Sequence, residues 1–209
     1  MKYYFLLGLG SVPFALRAQS SVASSLPPTT PKSGVSFGAK LGVNYSNTNF
    51  NQGSPKPVVP VATTWKTGFA GGFWVRLPVH GKFAVQQEYL FSQLSGEISN
   101  GGPRYTLRYL SLPLLLRYAL VPRVALVAGP QFDLLINSQQ DSSGQKTTIT
   151  HDTEERGIGA TAGVEVSLLP NFSLNARYLQ GLNHIGIGQR STVQEFKFQS
   201  VQVTLDARF

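Results

Sequence analysis

From Gly34 to the end of the chain, apolar and polar residues alternate in eight separate runs. The first sets Val35, Phe37, Ala39, Leu41, Val43 and Tyr45 against Ser36, Gly38, Lys40, Gly42 and Asn44. The second sets Trp65, Phe69, Phe73, Val75 and Leu77 against Lys66, Gly68, Ala70, Trp74 and Arg76, and the third sets Phe83, Val85, Tyr89 and Phe91 against Ala84, Gln86, Glu88 and Ser92. The fourth, "RYLSLPLLLRY", places Leu110, Leu112, Leu114, Leu116 and Tyr118 opposite Ser111, Pro113, Leu115 and Arg117. The remaining runs begin near Val124, Ile158, Phe172 and Val201. The last alternates Val201, Val203, Leu205, Ala207 and Phe209 with Gln202, Thr204, Asp206 and Arg208. A period of two is the signature of a strand, because successive side chains of an extended backbone point to opposite faces.

The connections alternate too. "PVHGK", "VPR" and "LPN" are tight turns built on Pro, Gly or Asn. Between them lie long segments, roughly 46–64, 95–104, 137–156 and 181–195, rich in Asn, Ser, Gln, Gly and Thr, which are expected to be loops. Long and short connections in alternation fit an antiparallel, up-and-down barrel in an outer membrane, with short turns in the periplasm and long loops outside. The expected fold is therefore all-β: an eight-stranded antiparallel up-and-down transmembrane β-barrel.

The two faces decide what surrounds the barrel. One carries large apolar and aromatic side chains and no charge; the other carries small residues and charges. Eight strands leave an interior just wide enough for side chains to fill, so the small, charged face belongs inside and the bulky face against lipid. The inward face then holds four cations, Lys40, Arg76, Arg117 and Arg177, and four anions, Glu88, Asp133, Glu165 and Asp206. Burying a lone charge costs several kcal/mol, so equal numbers predict a sealed, self-neutralising charge network and no open channel. The competing arrangement places several of these charges at strand ends, in water. Aromatics should mark the two interfaces: Phe37, Phe83, Tyr118, Phe172 and Phe209 on the periplasmic side, and Tyr45, Trp65, Phe91 and Tyr178 on the outer side.

Composition narrows the chemistry. The 209 residues suffice for one domain, and only 13% are charged. No cysteine is present, which removes disulfides, cysteine metal sites and lipoprotein acylation. The formal charge is +8, but Lys and Arg are scattered singly, so a nucleic-acid partner is not expected. Residues 1–18, with Lys2 ahead of the apolar run from Tyr3 to Leu16, read as a secretory signal peptide. Residues 19–33 read as a flexible, Ser- and Pro-rich periplasmic leader, and residues 34–209 as the barrel. No later apolar run is long enough for a transmembrane helix.

Three stretches carry a family resemblance. "LRYLSLPLLLRY", "VAGPQFDLLIN" and "LNARYLQGLNHI" resemble the PorT-like outer-membrane β-barrel family of Bacteroidota. Tyr109 to Tyr118 matches that family's Tyr-Leu-x-Leu-Pro-Leu-Leu-Leu-Arg-Tyr strand, and Ala128 to Gln131 its Ala-Gly-Pro-Gln strand start. "FAVQQEYLFSQ" is similar to its third strand, with Gln87 where a Pro is common. A C-terminal strand ending in Phe209 is also similar to the signal that outer-membrane proteins present to the barrel-insertion machinery. The resemblance spans about residues 34–209. It implies an outer-membrane location, contact with membrane lipid and lipopolysaccharide, and docking to an envelope or secretion complex, since the founding member is tied to type IX secretion and gliding. It brings no catalytic residue.

The remaining chemistry is thin. "HDTEER" gathers His151, Asp152, Glu154 and Glu155 in one segment, a solvated loop or a divalent-cation bridge to lipopolysaccharide phosphates. "GIGATAG", Gly157 to Gly163, lacks the strand-then-helix setting of a phosphate loop and reads as the small inward face of the sixth strand. Neither a metal nor a cofactor is expected, and the chain is read as a monomeric, non-enzymatic barrel with a structural or interaction role. Two alternatives stay open. One is a lipid A-modifying enzyme using His184 with Ser191 or Ser138; the other is a soluble, lipocalin-like binding barrel.

Overall fold

A computed structural model describes residues 34–52, 57–99, 101–142, 144–153, 155–187 and 194–209. The expected signal peptide and leader, residues 1–33, lie outside the described residues, as do Glu154 and Ser191. Among the described residues there are ten strands: β1 (Ser36–Asn49), β2 (Thr63–His80), β3 (Phe83–Ile98), β4 (Arg104–Val121), β5 (Val124–Ser142), β6 (Gln145–Thr148), β7 (Arg156–Leu169), β8 (Phe172–Gly181), β9 (Ile185–Ile187) and β10 (Gln194–Arg208). Eight are the runs read from the alternation. Each pairs antiparallel with its neighbour, in the order β1-β2-β3-β4-β5-β7-β8-β10, and β10 returns to β1. The seam runs from Gly38 opposite Arg208 to Asn49 opposite Lys197. It closes the sheet and leaves no long edge, as hydrocarbon demands of a spanning sheet.

Burial follows the pleat. Phe73 is 66% exposed, Leu114 44% and Val203 37%, whereas Asp206 is 1% exposed and Glu88 is fully buried. In a soluble barrel the bulky set would fill the centre, so this arrangement overturns the lipocalin-like alternative. No charged side chain interrupts the outward belt between the levels of Phe37 and Tyr45, and Gln87 is its one strongly polar member. Its Nε2 donates to the Glu88 carbonyl oxygen at 2.9 Å, which spares the amide from standing unpaired in lipid. Aromatics gather at both rims: Tyr45 stacks on Trp65 with ring centroids 5.3 Å apart, and Phe83 meets Tyr118 at 4.8 Å.

Two expectations change. The polar segments 95–104 and 137–156 are largely not loops. β3 runs to Ile98, β4 starts at Arg104, and β5 continues to Ser142 before turning back as β6. A spanning strand needs about 10 residues, so strands of 18 and 19 residues (β4, β5) project beyond the belt. There water reaches the outer face, and Ser, Thr, Gln and Asn sit in strands as well as in loops. The inward face is also not uniformly small: Trp74, Leu90 and Leu115 point into the lumen and are buried. Glycine makes the room. Gly38 is the register partner of Trp74, and a Cβ at Gly38 would lie 2.5 Å from the indole. Gly163 faces Arg177 in the same way.

Candidate functional site: a lumen filled in two tiers

The ionic residues lie in the middle of the lumen and toward its short-turn end. Glu88 is at the centre. Its Oε1 accepts from Lys40 Nζ and from Gln86 Nε2, both at 2.7 Å, and its Oε2 accepts from Arg177 Nη2 at 2.6 Å. Lys40 also lies 3.1 Å from Asp206 Oδ2, and Thr204 donates to the other Asp206 oxygen at 2.9 Å. Arg177 donates through Nε to Gln202 Oε1 at 2.7 Å, and Gln202 passes the chain to Asn44 Oδ1 at 2.8 Å.

A second cluster forms around Glu165, which accepts from Arg76 Nη2 at 2.6 Å and from Arg117 Nη2 at 3.0 Å. Gln86 joins the two clusters: its Oε1 accepts from Arg76 Nε at 2.7 Å while its amide donates to Glu88. The Arg76 guanidinium also lies 4.8 Å from the centre of the Trp74 ring, a favourable cation–π placement. Strands β1, β2, β3, β4, β7, β8 and β10 each contribute, because every charge occupies an inward position of its strand. Lys40, Arg76, Arg117, Arg177, Glu88, Glu165 and Asp206 are thus brought together. Asp133 is not: it is buried on β5, where Gln131 Nε2 donates to its two oxygens at 2.9 and 3.2 Å, and no cation pairs with it.

Above this network lies an apolar tier that the sequence reading did not anticipate. Phe196 and Phe198 of β10 cross edge to face at 5.0 Å; Phe50 approaches Phe196 at 5.2 Å, and Tyr109 approaches Phe198 at 6.2 Å. Leu94, Tyr105, Leu107, Ile149, Leu179 and Ile185 complete the cluster. The signal was present in "EFKFQS", where Phe alternates with polar residues in phase with the inward Gln202 and Thr204. Between the tiers sits a cavity of about 10 Å³, bordered by Asn44, Gln131, Thr161, Arg177 and Ser200. It is about the size of one water molecule.

A closed eight-strand antiparallel barrel with a lipid-facing exterior and a filled lumen therefore carries this site. The family model for the outer membrane protein beta-barrel domain matches residues 18–186. The chain belongs to this family. It is a small outer-membrane β-barrel, and its surroundings are membrane lipid and lipopolysaccharide. No curated protein matches the chain. Among solved structures, this barrel is similar to the neisserial surface protein A (TM-score 0.53, 16% identity, covering 84% of this chain and 99% of that one). It is also similar to Ail, the attachment invasion locus protein of Yersinia pestis (TM-score 0.48, 15% identity, 83% and 98%), and to the outer membrane protein AlkL (TM-score 0.49, 11% identity, 90% and 97%).

The other candidate groups of this outer-membrane barrel remain apart. His184 Nε2 lies 3.0 Å from the Gln52 carbonyl oxygen, and its Nδ1 is 3.9 Å from Glu195. Ser138 is buried and accepts from Thr153 Oγ1 at 3.3 Å, and among the described residues no hydrogen bond joins it to His184. In "GIGATAG", Gly157, Gly159, Thr161 and Gly163 form the inner face of β7, while Ile158, Ala160 and Ala162 face outward. Among the described residues, no three of His, Asp and Glu converge at His151 or elsewhere.

Proposed function

We propose that this barrel is a non-catalytic envelope protein of the PorT-like type from Bacteroidota, and that it works by docking to an envelope or secretion complex of the type IX kind. One observation carries the reading: the lumen is occupied by an ionic tier and an apolar tier, so the barrel offers partners its surface and not a conduit. The resemblance of "YLSLPLLLRY" and "VAGPQ" to that family supports the finer assignment. The extracellular end supplies a contact surface. In the β1–β2 connection Val58 and Val59 stand exposed between Pro57 and Pro60, and an apolar pair held in water favours a protein that covers it. Crosslinking in native envelopes, followed by identification of the captured proteins, tests the reading. Wild type is expected to capture secretion or envelope components that Val58→Asn/Val59→Asn loses. An unchanged set of partners would move the contact elsewhere, and capture of none would refute docking.

A further inference from the structure

On the outer wall, Phe91, Leu110 and Leu134 are neighbours in register and end the apolar belt. Beyond them only Ile136, at the β5 bulge, adds an exposed apolar side chain, and the next outward-facing positions are polar. Gln93 pairs with Arg108 and Arg108 with Asn137; further out, Arg104 pairs with Asp141 and Asp141 with Lys146. These side chains, with Gln139, line an open groove of about 180 Å³. Arg108 Nη1 donates to Asn137 Oδ1 at 2.9 Å, and no carboxylate among the described residues pairs with its guanidinium. Arg104 Nε is buried with no hydrogen-bond partner among the described residues.

The lumen cations Lys40, Arg76, Arg117 and Arg177 all have a carboxylate, yet no ion pair among the described residues engages Arg104, Arg108 or Lys146. Asp141 offsets one of the three charges, and Glu97, which pairs with Arg104 in register, gives its charge to Lys66 at 2.7 Å. The groove sits where a lipid headgroup would lie if its acyl chains ran down Leu110, Phe91 and Leu134. A guanidinium fork matches the tetrahedral oxygens of phosphate, and an unpaired donor at this level calls for an acceptor.

We propose that this groove binds the phosphorylated headgroup of an outer-leaflet lipid, with Arg104 and Arg108 gripping the phosphate and Lys146 closing over it from the β6 hairpin. The test uses the purified barrel in neutral detergent, checked for folding by heat-modifiable migration, with bound lipid read by native mass spectrometry. Phosphorylated lipid A, its dephosphorylated form and inorganic phosphate are the probes. Wild type is expected to retain phosphorylated lipid A, with about thirtyfold loss in Arg104→Gln/Arg108→Gln and about fivefold loss in Lys146→Gln, at roughly equal contribution per cation. Lys146 is exposed in a short hairpin, so its variant keeps the test alive if the double variant fails to fold. Equal retention by all three proteins, or equal retention of the dephosphorylated lipid, would overturn the proposal. Full displacement by inorganic phosphate at matching concentration would also overturn it, by making the groove a free-anion site.

Discussion

Glu88 takes hydrogen bonds from Lys40, Gln86 and Arg177 with no exposure to water. Removing one member of a buried ionic group leaves the others uncompensated, which costs about 3–5 kcal/mol. Glu88→Gln is therefore expected to destabilise the folded barrel by about 3 kcal/mol, read from urea unfolding in detergent by tryptophan fluorescence. Asp133→Asn is the contrast: Gln131 donates to Asp133 and no ion pair among the described residues holds it, so its loss is expected to cost about 1 kcal/mol or less. Equal losses would mean that the ionic partners contribute nothing specific. On the opposite face, Leu114 lies midway between Tyr118 and Leu110 on β4. Leu114→Arg is expected to cost about 2–4 kcal/mol, as a cation does at the bilayer midplane, and the penalty should vanish when the same substitution is made at the outward-facing Thr106.

Strands set which of these residues could be read in advance. Eight of the ten strands, their closure and the inward positions of Lys40, Glu88, Arg177 and Asp206 follow from the period of two, because one solvent touches each face within the membrane. The same rule fails above the belt. Around Ser95, Thr106 and Gln139, water wets the outer face of the strands, polar residues suit strand and loop equally, and the alternation loses its contrast. Phe196 and Phe198 were hidden for a related reason: they are aromatic residues on the polar phase of β10, the reverse of their phase elsewhere. Which charges pair was beyond the alternation, since Glu88 reaches Arg177 and Glu165 reaches Arg76 across the lumen and not along a strand. Because Phe196 is fully buried and touched by Phe50 and Phe198, Phe196→Ala is expected to cost about 3–5 kcal/mol. Hydrogen exchange should then rise in β9 and the outer half of β10 while the seam between Lys40 and Asp206 stays protected. Uniform loss of protection would show that the two tiers are one cooperative unit.

At the level of the whole barrel, the tiers act in series. Planar-bilayer recording on wild type is expected to show no large, steady conductance. Phe196→Ala/Phe198→Ala should behave the same, because the Glu88 and Glu165 clusters still bar the passage. A steady conductance in wild type would refute the sealed lumen, and one in the Phe variant alone would assign the seal to the apolar tier.

The pairing of β10 with β1 has a consequence for how the molecule is made. Asn44 and Gln202 are 158 positions apart along the polypeptide yet bonded side by side. Until that junction zips, two raw strand margins face the bilayer with their amides bare, so the tube forms only after both β1 and β10 have been delivered. Whatever assists its birth must hold both margins at once, and a chain without β10 would stay an open, sticky ribbon.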